Sequence, residues 1–70
     1  MLKNYEYKLI EETKDDNNTV TAATTLKADE LFADSAEDAR EEILMHEAEL
    51  IEQHGGRKKV RILVRPFLED

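Results

Sequence analysis

Glu42, His46, Glu49 and Gln53 recur at three- and four-residue intervals, so on a helix they project along nearly one line. Carboxylate, imidazole and amide groups at that spacing are ligand chemistry for a divalent cation. The pattern stops short of a site. In His46-Glu47-Ala48-Glu49-Leu50, the position that a zinc-binding helix fills with its second histidine is Leu50. One histidine among solvated carboxylates reads as a salt-laced helix surface. The rest of the chemical inventory is short: two histidines, a few hydroxyls and no cysteine, which removes thiolate nucleophiles, zinc-thiolate sites and redox pairs. Gly55-Gly56 precedes a strand pattern instead of opening a helix, so it is a helix stop and not an anion cradle. Ser35 is used as a helix cap. We therefore expect no catalytic residue, no metal, no cofactor and a non-enzymatic protein.

Charge is the more informative chemistry. Asp38, Glu41, Glu42, Met45, Glu49 and Glu52 fall on one side of the same helix, an acidic ridge with a single apolar residue in it. Carboxylates repeating each turn, about 5.4 Å apart, resemble the spacing of phosphates along a nucleic-acid strand. Such a ridge suits a basic surface on another protein, a nucleic-acid-binding enzyme among the candidates, and Met45 with the flanking Leu44 and Ala48 would supply apolar anchors. Arg57, Lys59, Arg61 and Arg65 alternate along the final strand and form the alternative site, one that could track a phosphate backbone. Exposed aromatics for base stacking are missing there, and the same cations also serve to protect a sheet edge or to offset acids such as Glu6 across the sheet. Glu47 is the odd residue. It falls among the apolar positions Ile43, Leu50 and Ile51, close to Arg40 and His54, and must be paired, snorkel or titrate high. A rim position bonded to Arg40 or to a strand residue is the simplest outcome.

The elements that carry these groups follow from periodicity. Residues 2–12 alternate in the strand period, with Tyr5, Tyr7 and Leu9 on one face; residues 19–27, rich in threonine and valine, form a second strand. The polar run Thr13 to Asn18 between them is a hairpin loop. Asp34-Ser35-Ala36-Glu37-Asp38 is a helix start, and the helix runs over about 36–54 with Ala36, Ala39, Ile43, Leu50 and Ile51 facing the sheet. Residues 58–67 form strand three, with Val60, Ile62 and Val64 inward and the basic residues outward. The helix carries the chain back along the sheet, so strand three lies beside strand one in the order 2-1-3. Placing it beside strand two would leave the tyrosine strand at an edge. The expected fold is α+β, a β-β-α-β chain with a three-stranded antiparallel sheet packed on one helix, as one domain over residues 1–70.

Seventy residues bury only about 60% of the unfolded surface, so stability is marginal and association with a partner or a second copy is a natural way to gain margin. Seventeen acidic against ten basic residues give a net charge of −7, which disfavours direct contact with nucleic acid or anionic lipid and favours basic partners. The imbalance is local. Ten carboxylates and only Arg40 lie between Asp29 and His54, whereas Arg57 to Arg65 holds five basic residues and no acid. No apolar run reaches the roughly 20 residues of a membrane span, no signal-peptide pattern opens the chain, and a reducing cytoplasm suits a chain without cysteine. In plan and charge alone, a small acidic β-β-α-β protein resembles several phage-borne inhibitors that block host nucleic-acid enzymes. That resemblance implies an inhibitor or DNA mimic of viral origin. The expectations therefore rank as an acidic protein-interaction module, then a nucleic-acid-binding domain using strand three, then a self-associating subunit.

Overall fold

The computed structural model describes Met1–Phe67. Three antiparallel strands, β1 (Lys3–Lys14), β2 (Val20–Ala33) and β3 (Val60–Pro66), form one open sheet in the order β2-β1-β3. Two helices, α1 (Ala36–His46) and α2 (Ala48–Gln53), stand where a single one was expected. The α+β architecture and the strand order follow from the sequence pattern. Placing β1 in the centre gives both of its edges partners and puts its tyrosines and Leu9 under the helices.

Leu9, with no exposed surface, sits in the core with Tyr7, Ile43, Ile51, Val60 and Ile62; Tyr5, Ala33 and Ala39 form a second buried group beside it. Val64, Leu26, Leu31, Leu44 and Leu50 are half-buried around these clusters. The other face of the sheet carries no element. Ala36, expected to face the sheet, is exposed, as is the flanking Ala48, because the core is narrow enough to be filled by Ala39, Ile43 and Ile51.

Three boundaries differ from expectation. β2 runs six residues beyond Lys27 and includes Leu31 and Phe32, since Tyr5 pairs with Leu31 and Lys3 with Ala33, and those partners lie over the tyrosine end of the core. The polar run Ala28-Asp29-Glu30 has poor strand propensity, and burial of its neighbours overrides it. β3 starts at Val60; Arg57, Lys58 and Lys59 form the preceding turn, closed by the Val60 N–H donating to the Gly56 carbonyl at 2.9 Å. β1 reaches Lys14, and the hairpin turns within Asp15 to Thr19. There Asp15 Oδ1 accepts from the Asn17 and Thr19 N–H groups, and Asn18 takes a left-handed φ of 64°.

The helix ends are built as the residue types suggest. Ser35 is extended at φ −151°, and its Oγ accepts the Asp38 N–H at 3.1 Å. At the far end Gly56 N–H donates to the Ile51 carbonyl and Gly55 N–H to the Glu52 carbonyl, the paired bonds of a Schellman stop, with Gly55 at φ 104°. Between these ends the helix breaks at Glu47, whose φ of −109° and ψ of 15° leave the helical region. The ladder still bridges the break, from the Glu47 N–H to the Ile43 carbonyl and from the Ile51 N–H to the Glu47 carbonyl, both at 2.9 Å. The result is a one-residue interruption within a connected helical segment.

Register then decides which way each group points. Leu9 pairs with Lys27 and Ile10 with Thr25, so Leu26 is an extra residue that bulges β2; a second irregularity skips Thr21. The first bulge turns Lys27 toward the helices, the reverse of the simple alternation in which Leu26 and Lys27 take opposite faces.

Candidate interaction surfaces

Glu47 is the point where helix, sheet and charge meet. It is 8% exposed, the one buried charged residue among those described. Its carboxylate accepts the Tyr7 hydroxyl at 3.0 Å and pairs with Lys27 Nζ at 2.6 Å. The expected alternatives thus resolve to pairing with strand residues. Arg40 does not take part; its guanidinium donates to the Ile62 carbonyl at 3.4 Å. Burial, reinforced by the bond to Glu47, raises the Tyr7 phenol above its ordinary value, and the Glu47 bond likewise raises the Lys27 ammonium. Both contacts converge on Glu47 Oε2. The triad pins the helix break onto β1 and β2.

The acidic ridge is placed on solvent. Asp38, Glu41, Glu42, Met45, Glu49 and Glu52 are all exposed, Met45 by 77%. Asp38, Glu41 and Glu42 lie on α1 and Glu49 and Glu52 on α2, so the break at Glu47 divides the ridge into two acidic segments on either side of Met45. Among the described residues none of these five carboxylates makes an ion pair. The acids of β1 behave differently: Glu6 pairs with Arg65, Glu12 Oε2 lies 3.7 Å from Arg61, and Glu11 meets His54 Nδ1 at 3.2 Å. Among the described residues, basic side chains meet the carboxylates of β1 and leave the helix ridge alone, as they leave Asp29 and Glu30 of β2.

The alternative site on strand three is not held together. Arg61 and Arg65 lean across the sheet to Glu12 and Glu6, as cross-strand charge pairs do. Arg57 and Lys59 sit in the turn before the strand, exposed. Lys14, Arg40 and Lys58, which strand periodicity could not have joined to this set, gather with Arg57, Lys59 and Arg61 along a groove of about 560 Å³ at the start of β3. Lys14 arrives there because β1 is antiparallel to β3 and ends beside its beginning. Arg40 arrives from the helix that crosses above.

The helix line Glu42, His46, Glu49 and Gln53 is divided by the break, its first two residues on α1 and its last two on α2. Among the described residues no cluster of three His, Asp or Glu side chains is arranged to hold a metal ion. Among the same residues, no helix is long and apolar enough to cross a membrane. No family model, curated protein or solved structure matches the chain.

Proposed function

We propose that this chain is a non-enzymatic protein-interaction module, an inhibitor or adaptor, that presents the ridge of Asp38, Glu41, Glu42, Glu49 and Glu52 to a basic surface of a partner protein. One observation carries the reading: these carboxylates are exposed and without an ion pair among the described residues, while the β1 acids Glu6, Glu11 and Glu12 face Arg65, His54 and Arg61. Charge held in this way is available to a partner at no cost in internal contacts. Met45 at the centre supplies a flexible apolar contact where an interface excludes water most completely. Carboxylates spaced by the helical turn favour a partner whose own surface is built for phosphates.

The test is a comparison of two baits, the native chain and its Glu41→Lys/Glu42→Lys/Glu49→Lys/Glu52→Lys variant, against lysate of the source cells. The native chain is expected to retain proteins with basic, nucleic-acid-binding surfaces, and the variant, with its circular dichroism unchanged, to lose them. Equal capture by both baits would remove the ridge as the contact.

A further inference from the structure

A second surface of opposite sign lies at the start of β3. Lys14 from the end of β1, Arg40 from α1, Arg57, Lys58 and Lys59 from the turn, and Arg61 from β3 line one groove of about 560 Å³, and Glu12 is the only carboxylate on its walls. Two of the six cations have fixed duties: Arg61 faces Glu12, and Arg40 caps the Ile62 carbonyl. Lys14, Arg57, Lys58 and Lys59 are exposed and make no ion pair among the described residues. In a chain of net charge −7, four such cations converging from two separate segments are a local reversal of the molecular field.

The backbone adds to this. The Glu12 N–H donates to the Lys59 carbonyl, and the Phe67 N–H to the Asn4 carbonyl. Even-numbered residues of β1 therefore turn their backbone groups toward β3, and Arg61, Leu63 and Arg65 answer them in register. Alternation then sends the backbone groups of Val60, Ile62 and Val64 to the free edge. The Val60 N–H closes the turn onto Gly56, Arg40 covers the Ile62 carbonyl, and Pro66 has no N–H to offer. Only Val64 keeps both of its backbone groups open there, so the edge offers a short run to an added strand. What it does present is cations.

We propose that this groove binds the phosphodiester backbone of duplex nucleic acid, without reading sequence. Charge complementarity selects the ligand, since four unpaired cations call for a polyanion. No aromatic residue lines the groove, so bases have nothing to stack on, which selects a duplex over a single strand. The acidic ridge does not forbid the contact: none of its carboxylates lines the groove, and at physiological salt their field is screened over a Debye length of about 8 Å. This surface is separate from the ridge. A chain holding both could bridge a nucleic-acid-binding protein and its nucleic acid.

The experiment is fluorescence anisotropy of a labelled 20-base-pair DNA of mixed sequence, titrated with the full chain between about 50 and 200 mM salt. Four phosphate contacts imply a slope of log affinity on log salt of about −3.6, a loss of about a hundredfold over that range. Lys14→Glu/Lys58→Glu is expected to weaken binding at least tenfold and flatten the slope by about two. Lys14→Gln/Lys58→Gln should flatten it equally with less effect on net charge. The control Lys3→Glu/Lys8→Glu makes the same charge change on exposed lysines outside the groove and is expected to cost less than threefold. No binding at millimolar protein and 50 mM salt overturns the proposal, as does an equal loss in the control. Ridge reversal should leave this binding intact or strengthen it, so the two surfaces fail independently.

Discussion

A buried carboxylate is expensive unless each of its neighbours is arranged to hold it, and Glu47 has two such neighbours in Tyr7 and Lys27. Removing one partner is worse than removing all three. Glu47→Ala leaves the Tyr7 hydroxyl unpaired in the core and is expected to cost about 1–3 kcal/mol in urea denaturation; Tyr7→Phe, which leaves Glu47 bonded to Lys27, should cost about 1. The triple change Tyr7→Phe/Lys27→Met/Glu47→Met should recover most of the loss, because an apolar set of similar volume has no unpaired group. The triad also sets the alkaline limit. Tyr7 and Lys27 both have folded pKa values above their ordinary ones, so below about pH 10 the unfolded and folded states hold the same protons on these groups. Above it the unfolded chain releases them first. The stabilisation is thus fully present below about pH 10 and is lost as pH rises through the folded values. A melting series from pH 8 to 11.5 checks this, and in Tyr7→Phe the alkaline loss should shrink.

At the scale of elements, the helical rod is held at its two ends and at its break. Ser35→Ala removes the cap on the Asp38 N–H and should cost about 1 kcal/mol. The glycine pair is unequal. At Gly55 a methyl group would stand 2.7 Å from Lys59 Cδ, on a backbone at φ 104° that L-residues avoid, so Gly55→Ala should destabilise by about 1–2 kcal/mol. At Gly56, φ 77° but with nothing closer than Glu52 Oε1 at 4.0 Å, Gly56→Asn should be tolerated better. The ridge acts in the opposite sense. Asp38 with Glu41 and Glu42, and Glu49 with Glu52, are like charges three and four residues apart, which destabilises a helix by a few tenths of a kcal/mol per pair. Glu42→Gln and Glu49→Gln should therefore raise the urea midpoint slightly while weakening partner capture. A surface kept only for solubility would have no reason to concentrate that repulsion on one line. Stability rising while capture stays the same would argue that the ridge is only a solvated face.

The whole molecule is elongated, 43 × 27 × 17 Å, with helices on one face of a thin sheet, and its charges are sorted by element. Acids crowd the helices and cations crowd the turn before β3. Because the helix acids find no cations among the described residues, their mutual repulsion is screened only by salt. Raising salt from about 10 to 150 mM should stabilise the native chain, and the ridge-reversal variant should show the smaller response; thermal melts over that range measure it. The same sorting lets the two proposed contacts be tested separately on one chain.

The alternation of Tyr5, Tyr7 and Leu9, the capping residues around Ser35 and the Gly55-Gly56 stop are local patterns; they located the three strands, the two ends of the helical segment and the exposed ridge from sequence alone, and the strand order followed once the tyrosine strand had to be covered on both edges. These features depend on neighbours within one turn or one strand pair, a range over which residue type and spacing carry the physics. The break at Glu47, the reach of β2 to Ala33 and the gathering of Lys14 and Arg40 beside Lys58 were decided by tertiary structure. Each depends on what lies across the core. A bulge at Leu26 is needed to aim Lys27 at Glu47, a buried Tyr5 to recruit Leu31, and an antiparallel register to bring residue 14 beside residue 58. Distance along the chain says nothing about such pairs, because the free energy that forms them comes from burying residues that have no periodic relation to each other.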